Sequence, residues 1–243
     1  MEEYTRRLIH VPIIHSPADM GSMGTELAAA CIERLGRRHW DDYLAMLATF
    51  WQSVRAGLDG LGLDYGRVDL YQDGLPVCGK ELEIVKAAAA KGSENHQLVL
   101  DLVGRGATVM GTEDPKLLLE ELRNVQAALA SRSSPDTDVV CQGSSDDGSG
   151  RNIDQAARTR GLMAERDAYL GRRIHESLRP GRTGILFLGL LHNVESYLAE
   201  DIVVTRLDHP GATQPRSHGA TKGLESRPIG NRKSAIGNLE KGA

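Results

Sequence analysis

Short apolar runs alternate with amphipathic stretches along most of this chain, which is the pattern of an α/β protein. Five runs predict strands, at residues 8–14, 67–71, 106–111, 184–190 and 201–205. The first and fourth runs are almost wholly apolar, as expected of strands buried inside a parallel sheet. The second run is less apolar, so we expect it at or near an edge of the sheet.

Between these runs, apolar residues recur at three- and four-residue spacing, which predicts helices. The helical patterns cover residues 25–35, 39–61, 80–90, 95–103, 116–130 and 153–178. Ser93 or Glu94 is predicted to cap the fourth helix, and residues 112–115 have the composition of a capped start for the fifth. The alternation predicts a single α/β domain at residues 1–207, with a mostly parallel sheet and helices on both faces.

Two segments interrupt this pattern. Residues 131–152 are rich in Ser, Asp and Gly, and residues 208–243 have neither aromatic residues nor periodicity. Segments with so few apolar residues cannot form a core of their own. We therefore expect a flexible surface insertion at 131–152 and a disordered tail at 208–243.

The composition narrows the class of protein. With 26 % charged residues and a net charge of −4, the chain lacks the basic excess typical of nucleic-acid binders. Its three cysteines have no CxxC spacing, which argues against a disulfide framework and favours a reducing cytoplasm. We found no secretory signal, and no apolar run approaches the roughly 18 residues that span a bilayer. We therefore expect a cytoplasmic protein with neither a nucleic-acid nor a membrane partner.

Polar side chains follow four of the predicted strands. They are His15 after the first strand, Gln72 and Asp73 after the second, Glu113 and Asp114 after the third, and His192 after the fourth. In an open α/β sheet the carboxyl ends of parallel strands line one crevice. We therefore expect these side chains to converge although they are far apart in the sequence.

Their chemistry is that of a metal site. The neutral imidazole is the commonest protein ligand of transition metals, so His15 and His192 are the predicted ligands. Asp73 or Glu113 would complete the site or serve as the general base. Such a nitrogen and oxygen set suits Mn²⁺, Zn²⁺ or Co²⁺, and a metal-bound water is an economical route to hydrolysis.

Arg166 and Gln72 are the predicted substrate-binding residues. Arg166 lies on the long helix before the fourth strand, where its guanidinium could hold an anionic group with two hydrogen bonds. A simpler interpretation of Arg166 is an ion pair on the helix surface. Likewise, each histidine could simply cap a strand end through a backbone hydrogen bond.

The order of these features resembles the Tiki/TraB and ChaN/erythromycin-esterase-like superfamily. The segment Arg166-Asp-Ala-Tyr-Leu-Gly-Arg-Arg-Ile, followed by Gly184-Ile-Leu-Phe-Leu-Gly-Leu-Leu-His192, is similar to its closing motif, and the resemblance spans roughly residues 8–206. The first strand in that superfamily usually ends in Gly-x-x-His, where this chain has Pro12-Ile-Ile-His15. Asp73 stands where those families commonly have Glu. The resemblance implies an α/β fold and, for the Tiki branch, a divalent-metal-dependent protease, while other branches bind haem or hydrolyse a lactone.

Three hypotheses about function follow. The first is a metal-dependent hydrolase of a small-molecule or peptide substrate. The second is a non-catalytic regulatory protein that binds a small anion or nucleotide in the same crevice, for which the turn Gly21-Ser-Met-Gly24 would offer backbone amides. The third is an interaction protein that forms a homodimer through the apolar face of the helix at residues 39–61.

Overall fold

A five-stranded parallel sheet forms the centre of the computed structural model, which describes residues 6–20, 23–132 and 148–207. The strands are β1 (Arg6–Ile13), β2 (Val68–Gln72), β3 (Thr108–Met110), β4 (Thr183–Gly189) and β5 (Ile202–Arg206). They lie in the order β3-β2-β4-β1-β5, and every neighbouring pair is parallel. The described residues all fall in one compact unit. The predicted α/β class and parallel sheet are confirmed.

Six α-helices connect the strands. They are α1 (Met23–Leu35), α2 (Arg37–Asp59), α3 (Glu81–Ala90), α4 (Glu94–Gly104), α5 (Pro115–Arg132) and α6 (Gly148–Ser177). Short 3₁₀ helices lie at Pro17–Met20, Tyr65–Arg67 and Val194–Tyr197. Ser93 caps α4, because its hydroxyl accepts the hydrogen bond of the His96 amide at 3.1 Å. Asp114 accepts the Lys116 amide at 2.7 Å, which caps the start of α5.

The two faces of the sheet are covered by different helices. One face carries Ile9, Val11, Leu70, Ile185 and Phe187, and it packs against apolar side chains of α2, α3 and α4. The other face carries Leu8, Tyr71, Leu186 and Leu188, and it packs against Leu170 and Ile174 of α6 and against Leu178, which follows that helix. Alternate residues of each strand thus enter opposite cores, as the two-residue period of a strand requires. The predicted placement of helices on both faces is confirmed.

β2 is the near-edge strand that its weaker apolar pattern predicted, since only β3 lies beyond it. All five of its residues are nevertheless buried. The charged member, Asp69, is accommodated because Arg182 donates two hydrogen bonds to it, at 2.8 and 2.7 Å. β3 is shorter than predicted, because Gly106 has a φ of 111° and belongs to the turn that follows α4.

The two interrupting segments were predicted with different boundaries. α5 continues through Arg132 and α6 begins at Gly148, so both ends of the predicted insertion are helical. Residues 133–147, the predicted tail at 208–243, and residues 21 and 22 of the glycine turn lie outside the described residues.

The apolar face of α2 lies inside this chain's own core. Its buried members are Leu47, Phe50, Trp51, Val54 and Leu58. This face is therefore not a free surface for the predicted homodimer. Within the described ranges, no helix is long and apolar enough to cross a membrane.

Candidate functional site

Three adjacent strands at the middle of the sheet end in residues that contact one another. Asp73 follows β2, Gly189 ends β4, and His15 lies two residues beyond β1. Asp73 Oδ2 lies 3.1 Å from His15 Nε2 and 3.6 Å from His192 Nε2. The structure thus brings together three of the residues singled out in the sequence. We call His15, Asp73 and His192 the central cluster.

Gly189 makes this close approach possible. A Cβ atom added at this position would lie 3.0 Å from Asp73 Oδ2 and 3.1 Å from His15 Nε2. Its backbone amide also donates a hydrogen bond to Asp73 Oδ2 at 3.0 Å. A side chain here would require Asp73 or His15 to shift by a few tenths of an ångström, so glycine allows the observed contact between them.

Arg166 is enclosed by three carboxylates. Its Nε and one terminal nitrogen bind the two oxygens of Glu113 at 2.6 and 2.7 Å. That same terminal nitrogen donates to Asp73 Oδ1 at 3.1 Å, and the other lies 2.6 Å from Glu121 Oε1. The guanidinium is therefore engaged on all sides within the protein. In this arrangement Arg166 orders acidic side chains, and an anionic substrate group would have to displace one of them.

Glu113 lies behind the central cluster. Its side chain is only 1 % exposed, and besides Arg166 it accepts the amide of Gly74 at 2.8 Å. Gly74 has a φ of 74°, so it supplies the tight turn that directs the chain away from Asp73. Glu113 thus holds both the turn at Gly74 and the guanidinium of Arg166 in place. Gly74 directly follows Asp73, and Arg166 donates a hydrogen bond to the Asp73 carboxylate.

His192 is held by Asp167, which directly follows Arg166 on α6 and was not among the predicted site residues. Asp167 Oδ1 lies 2.6 Å from His192 Nδ1, and Oδ2 accepts the Asn193 amide at 2.8 Å. This contact directs Nε2 of His192 towards Asp73. The sequence signal was the position of Arg166 on the stripe of α6 that is otherwise apolar. That stripe has i, i+4 spacing and consists of Leu162, Arg166, Leu170 and Ile174, and Leu178 continues it just beyond the end of the helix; all five residues are buried.

Gln72 and Asp114 lie apart from the central cluster. Gln72 is buried, donates to the Asp73 carbonyl at 3.3 Å, and its Oε1 has no partner among the described residues. It shares a side of β2 with Val68 and Leu70, which face the core under α2 and α4. Asp114 caps α5. Neither side chain contacts the carboxylate of Asp73.

The charges of the central cluster stabilise one another. Burial raises the pKa of Asp73, but the hydrogen bond of His15 and the charges of both histidines and Arg166 outweigh it, so the net pKa lies well below the usual range. Burial lowers the pKa of His15 and of His192, yet their contacts with Asp73 and Asp167 raise the net pKa of both. Ionisation of Asp73 and protonation of the two imidazoles thus favour each other.

Glu113 behaves in the opposite way. Burial raises the pKa of its carboxyl above the ordinary value, although the hydrogen bonds of Arg166 oppose this. Two buried carboxylates share one guanidinium, and the charge of Asp73 also makes ionisation of Glu113 less favourable. Asp73 is therefore the firmly ionised member of the pair.

His15 is the member of the central cluster that a bound molecule can reach. Its side chain is 40 % exposed, whereas those of Asp73 and His192 are 6 % and 5 % exposed. Tyr43 of α2 donates a hydrogen bond to the His15 carbonyl at 3.1 Å, which fixes the backbone beneath the exposed ring. A partly exposed imidazole bonded to a buried carboxylate is an arrangement suited to proton transfer.

The donor atoms of the cluster are suited to a divalent metal, but they are bonded to one another. Among the described residues, no group of three or more His, Cys, Asp or Glu side chains is arranged to hold a metal ion. Asp73 Oδ2 is occupied by His15 and by the amide of Gly189, and Oδ1 is occupied by Arg166. A metal would therefore replace hydrogen bonds that are already formed.

Comparisons of the chain with protein-family models, with curated proteins and with solved structures gave no match. The resemblance to the Tiki/TraB and ChaN/erythromycin-esterase-like superfamily stays a prediction.

Proposed function

We propose that this protein is a hydrolase whose reaction takes place at His15, at the carboxyl ends of β1, β2 and β4. The observation that carries the proposal is the contact between the exposed imidazole of His15 and the buried, ionised carboxylate of Asp73. A histidine held by a carboxylate in this way is a common general base, because the carboxylate orients the ring and stabilises its protonated form.

Each surrounding residue has a part in this proposal. Neutral His15 removes a proton from water as the water attacks the substrate, and Asp73 stabilises the imidazolium that forms. The imidazolium then returns this proton to the leaving group as the bond to that group breaks. Arg166, held by Glu113, keeps Asp73 ionised and in place. His192, held by Asp167, brings a second positive charge to the cluster, where it can stabilise negative charge that develops on the substrate.

A divalent metal ion (Mn²⁺, Zn²⁺ or Co²⁺) is an alternative form of the proposal, in which a metal-bound water would replace the general base at His15. His15 and His192, with an oxygen of Asp73, are the residues that would hold it, and Asp167 would orient His192 as carboxylates commonly orient metal-binding histidines. When bound, the metal would lower the pKa of a water molecule. Elemental analysis of protein purified without a polyhistidine tag tests this part. Near-stoichiometric metal that is lost in a His15→Ala/His192→Ala variant supports it, and its absence after reconstitution removes it.

The contacts of Arg166 favour a hydrolase over a protein that only binds an anion. Its guanidinium already pairs with Asp73, Glu113 and Glu121. The substrate we propose is a small molecule or a peptide with a neutral bond to be cleaved. We also infer a cytoplasmic location, because Cys31 and Cys78 are free thiols.

Hydrolysis assays test the reaction. The wild type would be supplied with p-nitrophenyl acetate, p-nitrophenyl phosphate and a mixed peptide library, each with added Mn²⁺, Zn²⁺ or Co²⁺ and with EDTA. We expect turnover of at least one class, and a loss of roughly 100-fold or more in His15→Asn and Asp73→Asn, as is usual when a general base is removed. His39→Asn is the matched control, because His39 is exposed on α2. Wild-type rates in either site variant would contradict the proposal.

A further inference from the structure

A cavity of about 360 Å³ lies beside the loop that follows β1. One wall is formed by one side of α2 through Trp40, Leu44, Leu47 and Trp51, and the facing wall includes Ser16. The lining is mainly apolar, with Glu94 as its charged member. This volume is within the range of about 300–1,000 Å³ that small-molecule sites occupy in proteins.

The cavity adjoins the central cluster through the backbone. Ser16 directly follows His15, the exposed member of the cluster. Tyr43, which lies on α2 between Trp40 and Leu44, donates a hydrogen bond to the His15 carbonyl at 3.1 Å. The same short segment of chain therefore forms both an edge of the cavity and the support of the proposed general base.

One lining residue carries a buried polar atom without a partner among the described residues. This atom is Trp51 Nε1. An unpaired buried donor costs about 1–3 kcal/mol, so such atoms call for a partner that the protein itself does not provide. An oxygen atom of a bound molecule would accept from the indole N–H. The carboxylate of Glu94 disfavours a second negative charge in the same space.

The loop wall is tied to the neighbouring helix. Asp19 accepts the backbone amide of Ser16 at 2.6 Å and the hydroxyl of Ser93, the residue that caps α4. Asp19 is buried in the contact, and its pKa is held below the usual value, because hydrogen bonds from Ser93 and His96 outweigh the effect of burial. These contacts hold the loop in place, so the cavity does not depend on a bound molecule for its shape.

From these observations we propose that the cavity binds the neutral apolar acyl group of the substrate whose ester or amide bond is cleaved at His15. The proposal rests on the proposed hydrolase function, and it adds the substrate class: an uncharged acyl chain or ring attached to a carbonyl. Leu44, Leu47 and the two tryptophans contact the apolar part, and Trp51 Nε1 donates a hydrogen bond to an oxygen.

Intrinsic fluorescence offers a direct test, because Trp40 and Trp51 are the only tryptophans of the chain. The probes are 2-hexanone, 2-heptanone and 2-octanone, which carry a neutral carbonyl and cannot be hydrolysed. We expect a saturable change in tryptophan emission, with a dissociation constant that falls about fourfold per added methylene, the increment for a buried CH₂ group. Octanoate should bind more weakly than 2-octanone because of Glu94.

A matched pair of variants identifies the site. Leu44 and Met46 lie on α2 with similar exposures of 41 % and 44 %, but only Leu44 is among the lining residues. Leu44→Glu should weaken the binding of 2-octanone by at least about tenfold, the effect of roughly two methylenes, and Met46→Glu should leave it unchanged. Equal effects of the two substitutions, or no saturable emission change in the wild type, would overturn the proposal.

The proposed hydrolysis and the proposed acyl site can be disproved separately. Ketone binding without hydrolysis of any ester would support the cavity as a binding site and contradict the proposed reaction. Hydrolysis of p-nitrophenyl esters with the same kcat/KM from acetate to octanoate would keep the reaction and remove the acyl site. We expect kcat/KM to rise with acyl length in the wild type and in Met46→Glu, and to stay flat in Leu44→Glu.

Discussion

Replacement of Arg166 by methionine is the sharpest test of how the site is built. The guanidinium lies between Asp73 and Glu113, whose carboxylates are 6 % and 1 % exposed, at 3.1, 2.6 and 2.7 Å. Methionine keeps most of the apolar volume but removes the guanidinium that lies between the two carboxylates. Removing one partner of a buried ion pair typically costs about 3–5 kcal/mol of unfolding free energy, and we expect a loss in this range at neutral pH.

The loss should depend on pH in a defined direction. Glu113 has a raised pKa because of burial, and without Arg166 its charged form is disfavoured further. Protonation of Glu113 removes the repulsion that the substitution exposes. The difference in stability between the wild type and Arg166→Met should therefore shrink as the pH falls from about 7 towards 5. In this range a glutamate whose pKa lies above the ordinary value of about 4.3 takes up its proton.

Urea unfolding followed by far-ultraviolet circular dichroism measures both effects. A double-mutant cycle with Glu113→Met separates the pair from the individual side chains. Because the second substitution removes one of the two exposed charges, the double variant should be more stable than the sum of the single losses predicts, by about 1–3 kcal/mol. A loss below about 1 kcal/mol in Arg166→Met, or additive losses in the cycle, would refute the buried network.

Three further predictions test other parts of the structure. Gly189→Ala should keep the fold but lower activity, because its Cβ would lie about 3 Å from Asp73 and His15; kinetics and a thermal melt on one sample check this. In EDTA, the melting temperature of the wild type should decline as the pH rises from about 6.5, and Asp73→Asn should flatten this decline. The reason is that the pKa of His15 is higher in the folded protein than in the unfolded chain, so its contribution to stability is complete below the unfolded pKa and is lost as the pH rises through the folded pKa. A slope unaffected by Asp73→Asn would contradict the ion pair. Ser93→Ala should cost about 1–2 kcal/mol in urea unfolding through loss of the α4 cap and the Asp19 contact, and no loss would exclude that role.

The sequence contained most of what was needed for the fold. β1 and β4 are adjacent strands inside the sheet, and their almost wholly apolar runs reflect burial on both faces. The ends of the strands could also be predicted, because a polar residue directly after an apolar run marks the point where the buried strand stops. Since all the strands are parallel, those ends meet at one edge of the sheet, which is why His15, Asp73 and His192 come together.

The partners of these residues were harder to predict. Whether Arg166 faces solvent, a substrate or a carboxylate depends on how α6 is rotated against the sheet, which the helical pattern alone does not determine. The same rotation places Asp167 against His192. Glu113 was expected as a ligand or base, but the turn at Gly74 and the guanidinium of Arg166 occupy both of its oxygens. The cavity beside α2 depends on packing between loop and helix, which has no sequence signature.

The pH dependence of kcat/KM for the wild type and Asp73→Asn, measured with the best substrate of the hydrolysis panel, tests the central claim most directly. The account predicts a wild-type rate that rises with pH through an apparent pKa above about 6.5, because Asp73 raises the pKa of the base His15. In Asp73→Asn the rate should fall by about 100-fold or more and the rise should move to lower pH. A variant that keeps both the wild-type rate and the wild-type profile would contradict the claim that Asp73 and His15 act together as the base.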